Sequence, residues 1–217
     1  MDLFKNKYRI PSTRLQTWNY ADSAMYFVTI CTENRECFFG NIVETRCIAS
    51  LSDNTTTHFI EPEYKMELND LGKIVEMEWL KSPELRPDMN LELFEYVVMP
   101  NHFHGIIFID DNRYNTARYN NALDRDAMHR VSTTVGTNNL LNLNPLNKFG
   151  PQAKNLASII RGFKSAVTTY ARKNAIPFGW QARFHDHIIG SSHEYLRIAG
   201  YIYGNPQNWK EDKFYIK

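Results

Sequence analysis

Two histidines one residue apart, His102 and His104, stand in the stretch "MPNHFHGIIF" at the mouth of an apolar run. Side chains of a strand alternate between faces, so on a strand both imidazoles share one face and Phe103 takes the other. Neutral imidazole suits divalent metals, and two ring nitrogens so placed make two thirds of a facial metal site. Gly105 follows, where the missing side chain lets a ligand or another backbone come near. The spacing alone is weak, because a His-x-His strand is equally a polar, solvent-facing side of a sheet. A second pair, His185 and His187, flanks Asp186. Asp186 and His187 are candidates to support the first pair by hydrogen bonding its ring nitrogens. Further on, "YIYGNP" sets Tyr201 and Asn205 four apart, on one face of a helix, so that a hydroxyl nucleophile and a carbonyl oxygen look the same way. The plainer reading makes Tyr201 and Tyr203 packing residues and Asn205 a helix C-cap ahead of Pro206.

These groups need elements to hold them. "AMYFVTIC" (24–31), short and rich in β-branched and aromatic residues, reads as a buried strand. "NLELFEYVVMP" (90–100) and "HFHGIIFID" (102–110) read as two strands joined tightly at Pro100-Asn101. Gly40-Asn41 reads as the turn of a hairpin or irregular excursion. In 67–84, Leu71, Ile74, Val75 and Trp79 fall at helical spacing, with Asn69 or Asp70 as N-cap and Pro83 as the stop. Over 153–174, Leu156, Ile159, Ile160, Phe163, Val167 and Tyr170 form an apolar stripe, and Lys154, Ser158, Arg161, Ser165, Thr168 and Arg172 form the opposite one. Residues 180–190 read as a last strand and 191–206 as a last helix, capped by Ser191 or Ser192 and ended by Pro206. The Asn-rich stretch 111–150 lacks apolar periodicity and is expected to be a long surface insertion, mobile or partly disordered. The order β, α, β, β, α, β, α predicts an α+β fold. It is a ferredoxin-like split β-α-β with an antiparallel sheet, helices on one face, and an extra C-terminal helix carrying the tyrosine.

A chain of 217 residues, 43% hydrophobic and 23% charged, fits one elaborated soluble domain spanning 1–217. No run approaches the roughly 18 apolar residues of a membrane span, and the N-terminus lacks a signal-peptide core, so a cytoplasmic location is expected. Three cysteines (Cys31, Cys37, Cys47) with no C-x-x-C pair argue against a disulfide framework or a zinc knuckle and read as reduced, packed thiols. The formal net charge of +1 hides segregation: residues 53–96 are strongly acidic, whereas 148–183 carry seven Lys and Arg and no Asp or Glu. Such a run suggests a polyanion partner more than a solvated face.

In order along the chain, "VVMPNHFHGIIF", the amphipathic basic helix, "WQARFHDHIIG" and "YIYGNP" resemble the single-tyrosine HUH transposases of small insertion sequences, above all the REP-associated tyrosine transposase branch. The opening "RLQTWNYADSAMYFVTICTENRECFFG" is similar to that family's N-terminal strand region, so the likeness covers nearly the whole chain. The resemblance implies that His102 and His104 hold a divalent metal, Mg²⁺ or Mn²⁺, with Asn205 as third ligand. It makes Tyr201 the nucleophile, with Tyr203 as the competing candidate. It implies nicking and strand transfer of single-stranded, hairpin-flanked DNA through a 5′-phosphotyrosine, with monomers and homodimers both among the relatives. Arg14, Lys154, Arg161, Lys164, Arg172 and Arg183 are the candidate contacts to backbone phosphates. Ordinary histidines would lose the metal, and activity with it, as pH drops through about 6.5. Two other readings remain: a hairpin-binding module of the same fold that cuts nothing, and a metal-dependent hydrolase using His102 and His104 with His185 or His187.

Overall fold

The computed structural model of the protein describes residues 15, 18–45, 62–115 and 153–215. Arg14, Cys47 and residues 116–150 of the expected insertion lie outside them.

Four strands make the main sheet: β1 (Ala24–Cys31), β4 (Leu91–Met99), β5 (His102–Ile109) and β6 (His185–Ile189), in the order β4-β5-β1-β6 with every neighbouring pair antiparallel. Two further strands, β2 (Gly40–Thr45) and β3 (Glu63–Leu68), pair as a separate ribbon. Helix α1 (Asp70–Leu80) lies between β1 and β4 in the chain, α2 (Leu156–Lys173) between β5 and β6, and α3 (Ser192–Gly204) follows β6. The main sheet with α1 and α2 is therefore the split β-α-β arrangement read from the sequence.

Strand alternation divides the side chains cleanly. On one face Tyr26, Val28, Ile30, Phe103, Ile107 and Ile109 pack with Leu71, Val75 and Trp79 of α1 and Leu156, Ile159, Phe163 and Val167 of α2, forming the principal core. Trp79 anchors it, with its ring 4.8 Å from Phe103 and 5.7 Å from Phe163, contacts worth roughly 0.5–1.5 kcal/mol each beyond the area they bury. The other face carries a smaller core in which Ile106, Phe27, Phe94 and Val97 meet Ile198, Ile202 and Tyr195 of α3. Thus α1 and α2 cover one face, and the tyrosine-bearing helix covers the other.

Helix starts follow the sequence signals. The Asn69 side chain accepts from Gly72 N–H at α1, Asn155 forms a capping box with Ser158 at α2, and Ser191 accepts from Glu194 N–H at α3.

Gly40-Asn41 is not a turn: both residues belong to β2, opposite Leu68 and Glu67. Gly40 is needed there because its φ of 134° is open only to glycine and a Cβ would sit 2.0 Å from Glu67 O. Gly105 also departs from expectation. It faces α1 rather than the histidines' side, and a Cβ would come within 2.8 Å of Trp79 and Phe103, so its bareness admits the indole and not a ligand. Cys31 and Cys37 are free thiols, and Cys37 is exposed rather than packed.

Candidate metal and tyrosine site

A two-residue loop, Pro100-Asn101, joins β4 to β5, so His102 opens β5 directly opposite Met99. Both histidines are fully buried on the α3 side, with ring centroids 4.6 Å apart. Each has one nitrogen engaged by a neighbour. His102 Nδ1 lies 2.9 Å from Asn101 Oδ1, and His104 Nδ1 lies 2.8 Å from the Thr29 hydroxyl of β1. These bonds fix the rings and direct both Nε2 atoms to a common space, as supporting residues do in metal sites.

α3 and the segment after it supply what faces those nitrogens. The Tyr201 hydroxyl is 3.1 Å from His104 Nε2 and 3.5 Å from Asp212 Oδ2. One ligand atom each from His102, His104 and Asp212 fall within 4.8 Å of one another. Phe214 N–H donates to Asp212 Oδ1 at 2.7 Å, and the Phe214 ring packs 4.6 Å from that of His102. Asn205, 2% exposed, turns its carboxamide toward His102 and Tyr201, close enough to bias the protonation of both, yet neither of its polar atoms makes a hydrogen bond of good geometry. His102 Nε2 is likewise buried without a hydrogen-bond partner.

Unpaired buried polar atoms are rare in folded proteins. Here Asn205 Oδ1 and His102 Nε2 are two such atoms on neighbouring side chains, and two imidazoles with oxygen donors suit a divalent cation. The donor set therefore fits a metal ion.

Electrostatics agree. Burial pushes both histidines below the ordinary range, His104 to about 3, and for His102 the neighbouring His104 adds to the effect. Both rings are therefore neutral, as ligands must be, far below pH 6.5, which replaces the expectation of loss through the usual histidine range. Burial, and then the Asp212 charge, raise the Tyr201 hydroxyl above its usual value. Arg35 and Lys213 flank the cluster: each cation lies over the Phe214 ring, at 5.1 and 4.8 Å, Arg35 donates to the Lys213 carbonyl, and both charges are felt by His102.

Among the residues singled out from the sequence, the structure brings together His102, His104, Tyr201 and Asn205. Tyr203 is 90% exposed and turned away, whereas Tyr201 is 41% exposed with its hydroxyl inward. The proposed supporting pair is not brought in. Asp186 lies opposite Val28 in the ladder, on the α1 side of the sheet, and His187 is tied to Glu194 at 2.7 Å. Of the basic candidates, Lys154 is paired with Asp88, and Lys164 donates to the Gln181 and Arg183 carbonyls while burial lowers it to about 8. Arg161 and Arg172 are exposed on α2, beyond the opposite face of the sheet from the histidines, and Arg183 is exposed just ahead of β6. Asp212, Asn101, Thr29, Arg35 and Lys213 were missed. Asp212 gives no pattern to read, being one acid among the mixed charges of "WKEDKF", whereas Asn101 had a signal in its place beside His102 on a tight turn.

No family model matches the chain. A protein of Haemophilus influenzae described as "Uncharacterized protein" is 34% identical over 209 residues, covering 94% of this chain and 92% of its own length. A solved structure of a REP-associated tyrosine transposase bound to a REP hairpin is similar over 94% of this chain and 77% of that one, with 15% identity and a TM-score of 0.48.

Proposed function

We propose that this chain, which belongs to the same family as the uncharacterised Haemophilus influenzae protein, is a metal-dependent tyrosine nuclease and strand transferase of single-stranded DNA, acting as a transposase on hairpin-flanked sites. One observation carries the reading: a phenol on a helix stands 3.1 Å from one of two neutral, buried imidazoles whose cluster also holds a carboxylate. A phenol set beside a cluster suited to a divalent cation is where a nucleophile for phosphorus has to stand.

His102, His104 and Asp212 would hold Mg²⁺ or Mn²⁺, with the Asn205 carboxamide beside them as a further oxygen donor. A bound divalent ion would supply positive charge that stabilises the anionic transition state of phosphoryl transfer and offsets the raised pKa of the phenol. The rest falls to the chain. Arg35 and Lys213, beside the cluster, attract the phosphodiester and neutralise its charge. Tyr201 Oη bonds to phosphorus as the bond from phosphorus to the 3′ oxygen breaks. The phenol proton passes to water, and the leaving 3′ oxygen takes one up as hydroxyl. The DNA is left joined to Tyr201 through its 5′ phosphate. Attack by another 3′ hydroxyl on that ester reverses the step, so rejoining needs no nucleotide cofactor. In the cytoplasm, where DNA is at hand, Arg161, Arg172 and Arg183 would grip strands leaving the cluster.

The test is incubation with Mn²⁺ and labelled single-stranded hairpin DNA, read on a denaturing gel and by mass spectrometry. A Tyr201-linked product is expected, and Tyr201→Phe should abolish it while leaving DNA binding almost unchanged. Binding without an adduct would leave the silent hairpin-binding module, and cutting without an adduct would point to a hydrolase with water as nucleophile.

A further inference from the structure

The mechanism above uses the imidazoles and the carboxylate but leaves unexplained how atoms from a strand and from a terminal turn come to one point. Asn101 occupies the junction. It is fully buried, in the two-residue loop, and both polar atoms of its side chain and its own carbonyl are engaged. Its Nδ2 donates to the Arg35 carbonyl at 2.8 Å and to the Phe214 carbonyl at 2.8 Å. Its own carbonyl accepts the Thr32 N–H at 3.0 Å and the Thr32 hydroxyl at 2.9 Å. With both amide protons committed, only Oδ1 is left to face His102 Nδ1, 2.9 Å away, and an oxygen acceptor there requires the ring proton on Nδ1. The lone pair of the neutral ring is then on Nε2, the atom found buried and unpaired.

The same side chain reaches a second ligand. The Phe214 carbonyl that it holds belongs to the residue whose N–H fixes Asp212 Oδ1 at 2.7 Å and whose ring packs on His102. The Arg35 carbonyl that it also holds belongs to the cation lying over that ring.

We infer that Asn101 is the positioning residue of the cluster: one carboxamide sets the His102 tautomer through Oδ1 and, through Nδ2 and the Phe214 backbone, docks the turn that presents Asp212. The inference rests on the metal reading for its purpose, but its structural content stands in the metal-free protein.

The test uses the full chain. Imidazole nitrogen NMR of the metal-free wild type should show His102 protonated at Nδ1 and bare at Nε2. Asn101→Ala should mix the tautomers, weaken Mn²⁺ binding by calorimetry about ten- to a hundredfold, and speed proteolysis within 209–215. Asn101→Asp separates the two roles. Its carboxylate still accepts from Nδ1, which should restore the tautomer and most of the affinity, but it cannot donate to either carbonyl, so the turn should stay protease-sensitive. A wild-type His102 carrying its proton on Nε2 would overturn the inference without any variant. So would Asn101→Ala with unchanged tautomer and Mn²⁺ affinity within twofold, or Asn101→Asp with the same tautomer mixture as Asn101→Ala. If the wild type binds no Mn²⁺, the proposed function fails, and the metal-free spectrum still decides the role of Asn101.

Discussion

Burying two neutral histidines has a consequence for stability that can be measured without metal or DNA. His104 titrates near 6.5 in an unfolded chain and near 3 in the fold, because burial disfavours its charged form. Between those values the unfolded state binds the extra proton, so stability is complete above pH 6.5 and drains away as pH falls toward 3. Each pH unit in that window costs about 1.4 kcal/mol per histidine, so lowering the pH from 7 to 4.5 should remove about 2.5 kcal/mol through His104 alone. His102 shifts in the same direction and adds to the loss. Urea unfolding of the metal-free protein at pH 7 and pH 4.5, for the wild type and for His104→Gln, isolates the effect, since other carboxylates titrate in both. The wild type should lose about 2.5 kcal/mol more than the variant. Equal losses would refute the claim that this imidazole is held neutral by burial.

Other consequences can be checked as directly. Since both rings are already neutral, Mn²⁺ affinity should stay nearly flat from pH 7.5 to 5.5 in calorimetry; a decline of up to about tenfold per unit for each histidine, starting at 6.5, would show unshifted histidines. Asp212→Asn should weaken Mn²⁺ at least tenfold, about 1.4 kcal/mol, and Asn205→Ala by less, because a carboxylate brings charge that a carboxamide lacks; the reverse order would reassign the oxygen donor. Gly105→Ala should destabilise the fold by roughly 1–3 kcal/mol in thermal unfolding, through the Trp79 contact, and a neutral result would break that packing argument. Replacing Arg35 and Lys213 together by Ala should reduce the salt dependence of single-stranded DNA binding by about two phosphates, whereas Lys154→Ala, removing a cation paired with Asp88, should leave it unchanged.

What the sequence disclosed, and what it withheld, follows from range. The strands β1, β4 and β5 and the three helices carry their evidence locally, in apolar period, caps and prolines, and they stand within a few residues of where those signals put them. β3 was legible too, since Tyr64, Met66 and Leu68 alternate with charged residues, but the eye follows the stronger helical period that begins at Asn69. That Tyr201 and Asn205 share a helix face was readable because they are one turn apart, although that spacing alone equally fits a packing tyrosine and a C-cap. Asp212 was not, because its place depends on a turn pinned by Asn101 and by the Phe214 ring, contacts that span 113 positions of chain. The basic stripe of α2 was legible as a stripe, but not which of its cations are tied down, which depends on partners such as Asp88, nor which face of the sheet they lie behind, which depends on strand order.

Asp88 carries a last implication. Lys154, Tyr114 and Arg113 all bond its carboxylate, holding it well below the usual range, so the residues on either side of 116–152 are clasped at one point. One carboxylate thus ties the turn after β5 and the entry to α2 to the segment ahead of β4, so the single substitution Asp88→Ala would loosen all three attachments at once.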